Sequence, residues 1–173
     1  MTLYFGDGTN ISTGGSLGKV INVAQTVKTS KTGYNVGWGD TSSDAISTTY
    51  AASSSSNKLL IMCSLTVGLD FGGRIFCNLF IDGSRENGLA ADSDSNVTRR
   101  TSGEHAGNDA DISNIAFNYL KTSPSTSSVT YSVRLGQGDN GTRNVYINRP
   151  HNKPDQSYIG NGTSSITIME FGP

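Results

Sequence analysis

KLLIMCSLTVGLD, residues 58–70, decides the fold class. Leu59, Ile61, Cys63, Leu65, Val67 and Leu69 stand at every second position of this stretch. Side chains two apart in an extended chain point to the same side, so the spacing predicts a strand with one continuous apolar face. After Phe71-Gly72-Gly73 the alternation resumes at Arg74, with Ile75, Cys77, Leu79 and Ile81 on one parity. Phe76 and Phe80 take the other parity, so this second strand is expected to be covered on both faces. A hairpin joining the two strands is the direct expectation.

The same period of two recurs outward from here, and helical periodicity is nearly absent. Val20 to Lys28 reads as a first strand with Ile21, Val23 and Val27 on one face. The polar stretch 29–56 holds Trp38 and a weaker strand near Ile46 to Ala51. Ile112 to Leu120, Val129 to Leu135, Asn144 to Asn148 and Ser164 to Glu170 read as four further strands. Asp139-Asn140-Gly141 and Asn161-Gly162 offer the positive-φ residues that hairpin turns need. The long polar segment 83–111 hides short strands near Leu89 and Thr98, or forms an exposed functional loop. About eight short strands without a helix mean an all-β sandwich or barrel.

Residues 1–19 differ from the rest. They contain five glycines, with Leu3, Tyr4 and Phe5 as the main apolar cluster. Alone, such a segment buries very little, so it is read as an anchoring arm that packs on a neighbour, ahead of a β domain at 20–173.

Composition narrows the function classes. The 173 residues suffice for one domain with a modest core. Hydrophobic residues make up 34%, against a norm of about 45–50% that also counts Gly, and charged residues 16% against about 25%. The formal net charge of −1 leaves no basic field for nucleic acid or anionic lipid. The longest apolar run, Leu59 to Cys63, falls far short of the roughly 20 residues that span a bilayer. No basic segment followed by an apolar one marks a secretory signal at the N-terminus. Two cysteines, Cys63 and Cys77, are too few for a disulfide scaffold and are read as buried reduced thiols. A bridge between them is conceivable only where their strands pair as neighbours.

Several motifs match a chemistry in form and fail in context. Gly136 to Gly141 fits GxGxxG, but a strand rather than a helix follows, so no helix N-terminus faces a pyrophosphate. Gly14 to Gly18 fits the GxSxG elbow without the flanking strand and helix that the elbow requires. Asp92-Ser93-Asp94-Ser95-Asn96 opens like a calcium loop, yet Val97 replaces the turn glycine and Gly103 the bidentate glutamate. Sequons at Asn10, Asn96, Asn140 and Asn161 mean little without a secretory route. Arg99, Arg100, Glu104 and His105 form the one dense charged cluster. It suits a hydrated surface, a contact between subunits, or recognition of a carboxylate by paired guanidiniums. No catalytic, metal or cofactor site is read from the sequence.

The order GKVINVAQTVKT (18–29), SSSNKLLIMCSLTVG (54–68), GRIFCNLFIDGS (73–84), RRTSGEHAGNDADISNIAFNYL (99–120), SSVTYSVRLGQ (127–137), NVYINRP (144–150) and SSITIMEF (164–171) resembles a family of small β-rich virion proteins. These are described as structural or tail-fibre-like proteins of marine tailed bacteriophages, notably cyanophages and pelagiphages. The resemblance covers nearly the whole of 18–171 and rests on strand patterns rather than catalytic signatures. It implies a jelly-roll-like β-sandwich on the phage particle, assembled as a homotrimer, and carries over no functional residue. The expected partners are other copies, capsid or tail proteins, and a host surface receptor, with no nucleic acid and no membrane insertion. The expected role is a non-enzymatic decoration module on the virion, made in the host cytoplasm; the alternative is a tail-fibre or receptor-binding tip. A long fibre needs heptads or repeated units for its shaft, and neither period is present. A carbohydrate-active enzyme needs two carboxylates flanking the bond it cleaves, whereas Glu86, Glu104 and Glu170 are scattered along the chain. In the sandwich, Leu59, Ile61, Leu65, Val67, Ile75, Leu79, Phe117, Tyr131 and Val133 are expected to face the interior.

Overall fold

The computed structural model describes residues 3–4, 10–11, 18–70, 73–90, 100–106, 111–151 and 160–172. In chain order its strands are β1 (Leu3–Tyr4), β2 (Asn10–Ile11), β3 (Val20–Lys28), β4 (Thr32–Gly37), β5 (Thr41–Tyr50), β6 (Lys58–Leu69), β7 (Gly73–Ile81), β8 (Ser84–Arg85), β9 (Ser102–Ala106), β10 (Ser113–Thr122), β11 (Val129–Gln137), β12 (Thr142–Ile147) and β13 (Ser164–Phe171). Two antiparallel sheets face each other. In sheet one, β6 pairs along one edge with β10. Its other edge is shared end to end, by β13 opposite Leu59 to Ser64 and by β12 opposite Val67 to Leu69. β3 continues the sheet beyond β13, and β4 beyond β12. Sheet two runs β5–β11–β7, with β8 and β9 sharing the far edge of β7. The long strands therefore run β3–β13–β6–β10 in one sheet and β5–β11–β7–β9 in the other, the strand order of a jelly roll. β4 and β12 lengthen sheet one at one end.

The nine residues expected inside are all buried and belong to one core cluster. The expected hairpin is not there. β6 lies in sheet one and β7 in sheet two, so their apolar faces meet across the core instead of lying side by side. Alternation states which side chains share a face; it does not state which sheet the next strand joins. Cys63 and Cys77 follow from this placement. They sit buried on opposite sheets, unbonded, with burial pushing Cys77 up to about 12 and Cys63 well above the ordinary thiol range.

β3 has the expected bounds, and its larger apolar face is turned outward. Ala24 and Thr26 stand opposite the buried Ile168 and Ile166, so this parity faces inward. Ile21, Val23 and Val27 point outward and are 47%, 48% and 54% exposed. An edge strand over a narrow part of the core needs only small residues on its inner side, which leaves the larger apolar face without cover.

The turns show similar differences. Asp82 (φ 47°) and Gly83 (φ 77°) form a two-residue turn between β7 and β8, both in the left-handed region that primed turns require. That Asp-Gly pair opens the segment expected to be a loop with strands near Leu89 and Thr98. Leu89 instead ends a short 3₁₀ turn, strands occur at Ser84–Arg85 and Ser102–Ala106, and Thr98 lies outside the described residues. Gly141 has the expected positive φ of 85°, but the strands it links lie in different sheets. Gly162 is not in the left-handed region; a Cβ there would run into the Thr66 side chain. The weak strand expected near Ile46 is the longer β5, and β4 precedes it.

β1 and β2 pair with each other as a separate two-stranded sheet, while Phe5 lies outside the described residues. Where the sandwich begins, the Gly172 N–H donates to the Lys19 carbonyl (3.0 Å), so β3 enters and β13 leaves at one corner.

Candidate functional site

Of the predicted charged cluster, Arg100 has a described side chain. Arg99 lies outside the described residues, and Glu104 and His105 are placed by register alone, opposite Ile75 and Arg74 on β9. Arg100 reaches the outer face of sheet two, where its guanidinium carbon stands 5.2 Å from the centre of the Phe76 ring. The next outward residue along β7 is Asn78, opposite Arg134 in register, followed by Phe80, opposite Arg85. Arg134 stacks on Phe80 at 4.1 Å and donates through Nε to Asp44 Oδ1 at 2.7 Å. Burial and the nearby charge of Arg85 both lower the pKa of Arg100. In the middle of this group Asn78 is 0% exposed, and neither its amide nitrogen nor its amide oxygen has a hydrogen-bond partner. Beside it, Thr101 caps the backbone of β7: its N–H donates to the Cys77 carbonyl, and its hydroxyl accepts from Leu79 N–H. Sequence reasoning found Arg100 by its charge and missed Asn78, an ordinary polar residue between two phenylalanines.

Three other polar arrangements are fully engaged in the fold. Glu170, 1% exposed, closes one end of the sandwich. Its carboxylate accepts from Tyr50 Oη (2.5 Å), Asn57 Nδ2 (2.5 Å) and both the N–H and hydroxyl of Ser53 (2.8 and 2.7 Å). Burial opposes its charge, and these hydrogen bonds outweigh burial, holding the carboxyl down at about 2. Tyr146 Oη and His151 Nδ1 lie 2.7 Å apart, with Arg149 stacked on the Tyr146 ring at 4.6 Å. Arg149 also donates to the Pro150 and His151 carbonyls, so this trio folds the turn after β12. A cleft of about 350 Å³ opens between β3 and β5, lined by Thr26, Lys28, Ser30, Asp44 and Ser47 among others. Its one carboxylate, Asp44, is already bonded to Arg134. Among the described residues no three His, Cys, Asp or Glu side chains converge to hold a metal, and no helix is long and apolar enough to cross a membrane.

The outer face of sheet one has another character. Val23, Met169, Leu60 and Leu120 stand opposite one another in register, forming an apolar row across β3, β13, β6 and β10. Val23 and Leu120 are 48% and 59% exposed. The next row, Gln25, Thr167, Met62 and Asn118, is uncharged too, and Gln25 donates to Thr167 at 2.8 Å. Lys58, at the end of the sheet, donates to Thr122. Four strands about 4.8 Å apart and about seven residues long give a face of roughly 450 Å², of which the apolar row is one part.

No protein-family model and no curated protein matches this chain.

Proposed function

We propose that the chain is a non-enzymatic structural module of a tailed bacteriophage particle, a decoration protein whose copies pack on one another and whose segment 1–19 attaches them. The observation that supports this reading is the apolar row Val23, Met169, Leu60 and Leu120 on the outer face of sheet one, exposed at both ends. A neighbouring copy can cover that row without burying an unpaired charge. The resemblance of the strand patterns to marine phage virion proteins supports the same reading. A second reading, a tail-fibre tip, is favoured by Trp38. This side chain is 66% exposed at the end of the sandwich away from the Lys19–Gly172 corner, where a receptor contact would fall.

Quantitative mass spectrometry of purified particles tests both readings. Hundreds of copies per particle fit decoration, a few to tens fit the tail, and absence from particles overturns both. Particles produced with a chain lacking residues 1–19 are expected to lose the protein, while the truncated sandwich still folds. Normal incorporation would remove the arm from the proposal.

A further inference from the structure

We propose that the outer face of sheet two around Asn78 is a binding site for a carboxylate, held by the Arg100 guanidinium and the Asn78 amide. A buried amide without a hydrogen bond costs stability, and Asn78 leaves both of its polar atoms unpaired at 0% exposure. An apolar β-branched residue at this position of a central strand would avoid that cost. Arg100 repeats the pattern, because its Nε is buried and makes no hydrogen bond. Two unpaired donors therefore lie on the same face of β7, in adjacent rows, between the rings of Phe76 and Phe80. Such donors call for an acceptor that brings negative charge.

The geometry selects a carboxylate over a larger oxyanion. The Nε–H and one Nη–H of a guanidinium meet the two oxygens of a carboxylate side-on, as a planar fork. Asn78 Nδ2 then supplies a third donor to the oxygen nearer β7. Asp44 already pairs with Arg134, so the ligand's negative charge is met by Arg100 and the nearby charge of Arg85. Gly136, directly opposite Phe76, keeps a side chain from displacing Arg100: a Cβ there would lie 3.0 Å from the Asp40 carbonyl oxygen and 3.9 Å from the Arg100 guanidinium. Asn78 is fully buried, so binding requires side chains of this face to move aside, with Arg100 turning its fork onto the ligand.

The test is a titration of the full-length, ¹⁵N-labelled protein, followed at the Asn78 side-chain amide and the Arg100 Nε–H. Sodium acetate, sodium glucuronate and sodium phosphate are added against sodium chloride at equal ionic strength. Saturating shifts of both signals with acetate and glucuronate are expected, and a tighter response to glucuronate would assign the carboxylate to an acidic saccharide. A response to phosphate alone, or the same response with chloride, overturns the proposal. Arg100→Lys keeps the charge and loses the fork, so carboxylate affinity is expected to fall by about tenfold or more. Asn78→Val separates binding from folding. It is expected to raise the melting temperature while abolishing the saturating response. A lower melting temperature would show that the amide is satisfied in solution, and an unchanged response would show that it takes no part in binding; either result overturns the assignment.

Discussion

At the scale of single residues, Glu170 shows how a small polar protein closes the end of its sandwich. A carboxylate buried this deeply is tolerable because four neutral donor groups point at it. Its folded pKa, about 2, lies below the ordinary value of 4.5. The stabilisation it contributes is therefore complete above about 4.5 and is lost as the pH falls toward 2. Urea denaturation at pH 7 and pH 3 is expected to show this loss, and Glu170→Gln should flatten the dependence. At pH 7 the Glu170→Gln change should cost about 1.5–3 kcal/mol, the range for hydrogen bonds to a charged group. The residue was visible in the sequence as the last polar position of an alternating strand, Ser164 to Glu170. Its partners were not, since Tyr50, Ser53 and Asn57 are more than a hundred positions away.

At the scale of strands, the alternating stretches at 58–69 and 73–81 marked both strands and their inward residues. Leu65→Ala and Leu79→Ala are each expected to cost about 2–5 kcal/mol, because both side chains are fully buried and the cavity collapses only in part. Equilibrium unfolding in guanidinium measures this directly, and wild-type stability in either variant would contradict the packing described. Pairing was harder to read than burial. The stretches at 58–69 and 73–81 look the same whether the strands lie in one sheet or face each other across two. The orientation of β3 was hidden for a related reason, because Ile21, Val23 and Val27 mark a face without saying what covers it. By contrast, the Asp82-Gly83 turn was legible from its dipeptide, and it was obscured by the polar residues that follow it. The charged cluster gave Arg100, while the unpaired amide at its centre became visible only when the register put Asn78 beside Arg134.

At the scale of the whole molecule, the two outer faces differ in character. Sheet one presents an uncharged apolar row, and sheet two presents arginines stacked on phenylalanines. Two faces of roughly 450 Å² bury less than the about 1,200–2,000 Å² of a standard stable interface. Association through sheet one alone should therefore be weak and concentration-dependent. Sedimentation equilibrium is expected to show oligomers at high micromolar concentration, reduced to monomer by Val23→Glu with Leu120→Glu. A wild-type monomer throughout that range would leave the apolar row without a role in self-assembly. The corner where Gly172 meets Lys19 also gives the molecule a direction. Cargo fused after Gly172 would emerge beside Lys19, at the corner where β3 enters. Cargo spliced into the turn at Trp38-Gly39 would emerge at the other end, beyond the row where Leu69, Val145 and Tyr34 align and about 40 Å away along the strands. If segment 1–19 attaches the chain as proposed, a peptide displayed for capture or vaccination belongs in that turn, and the same tag after Gly172 is expected to be masked.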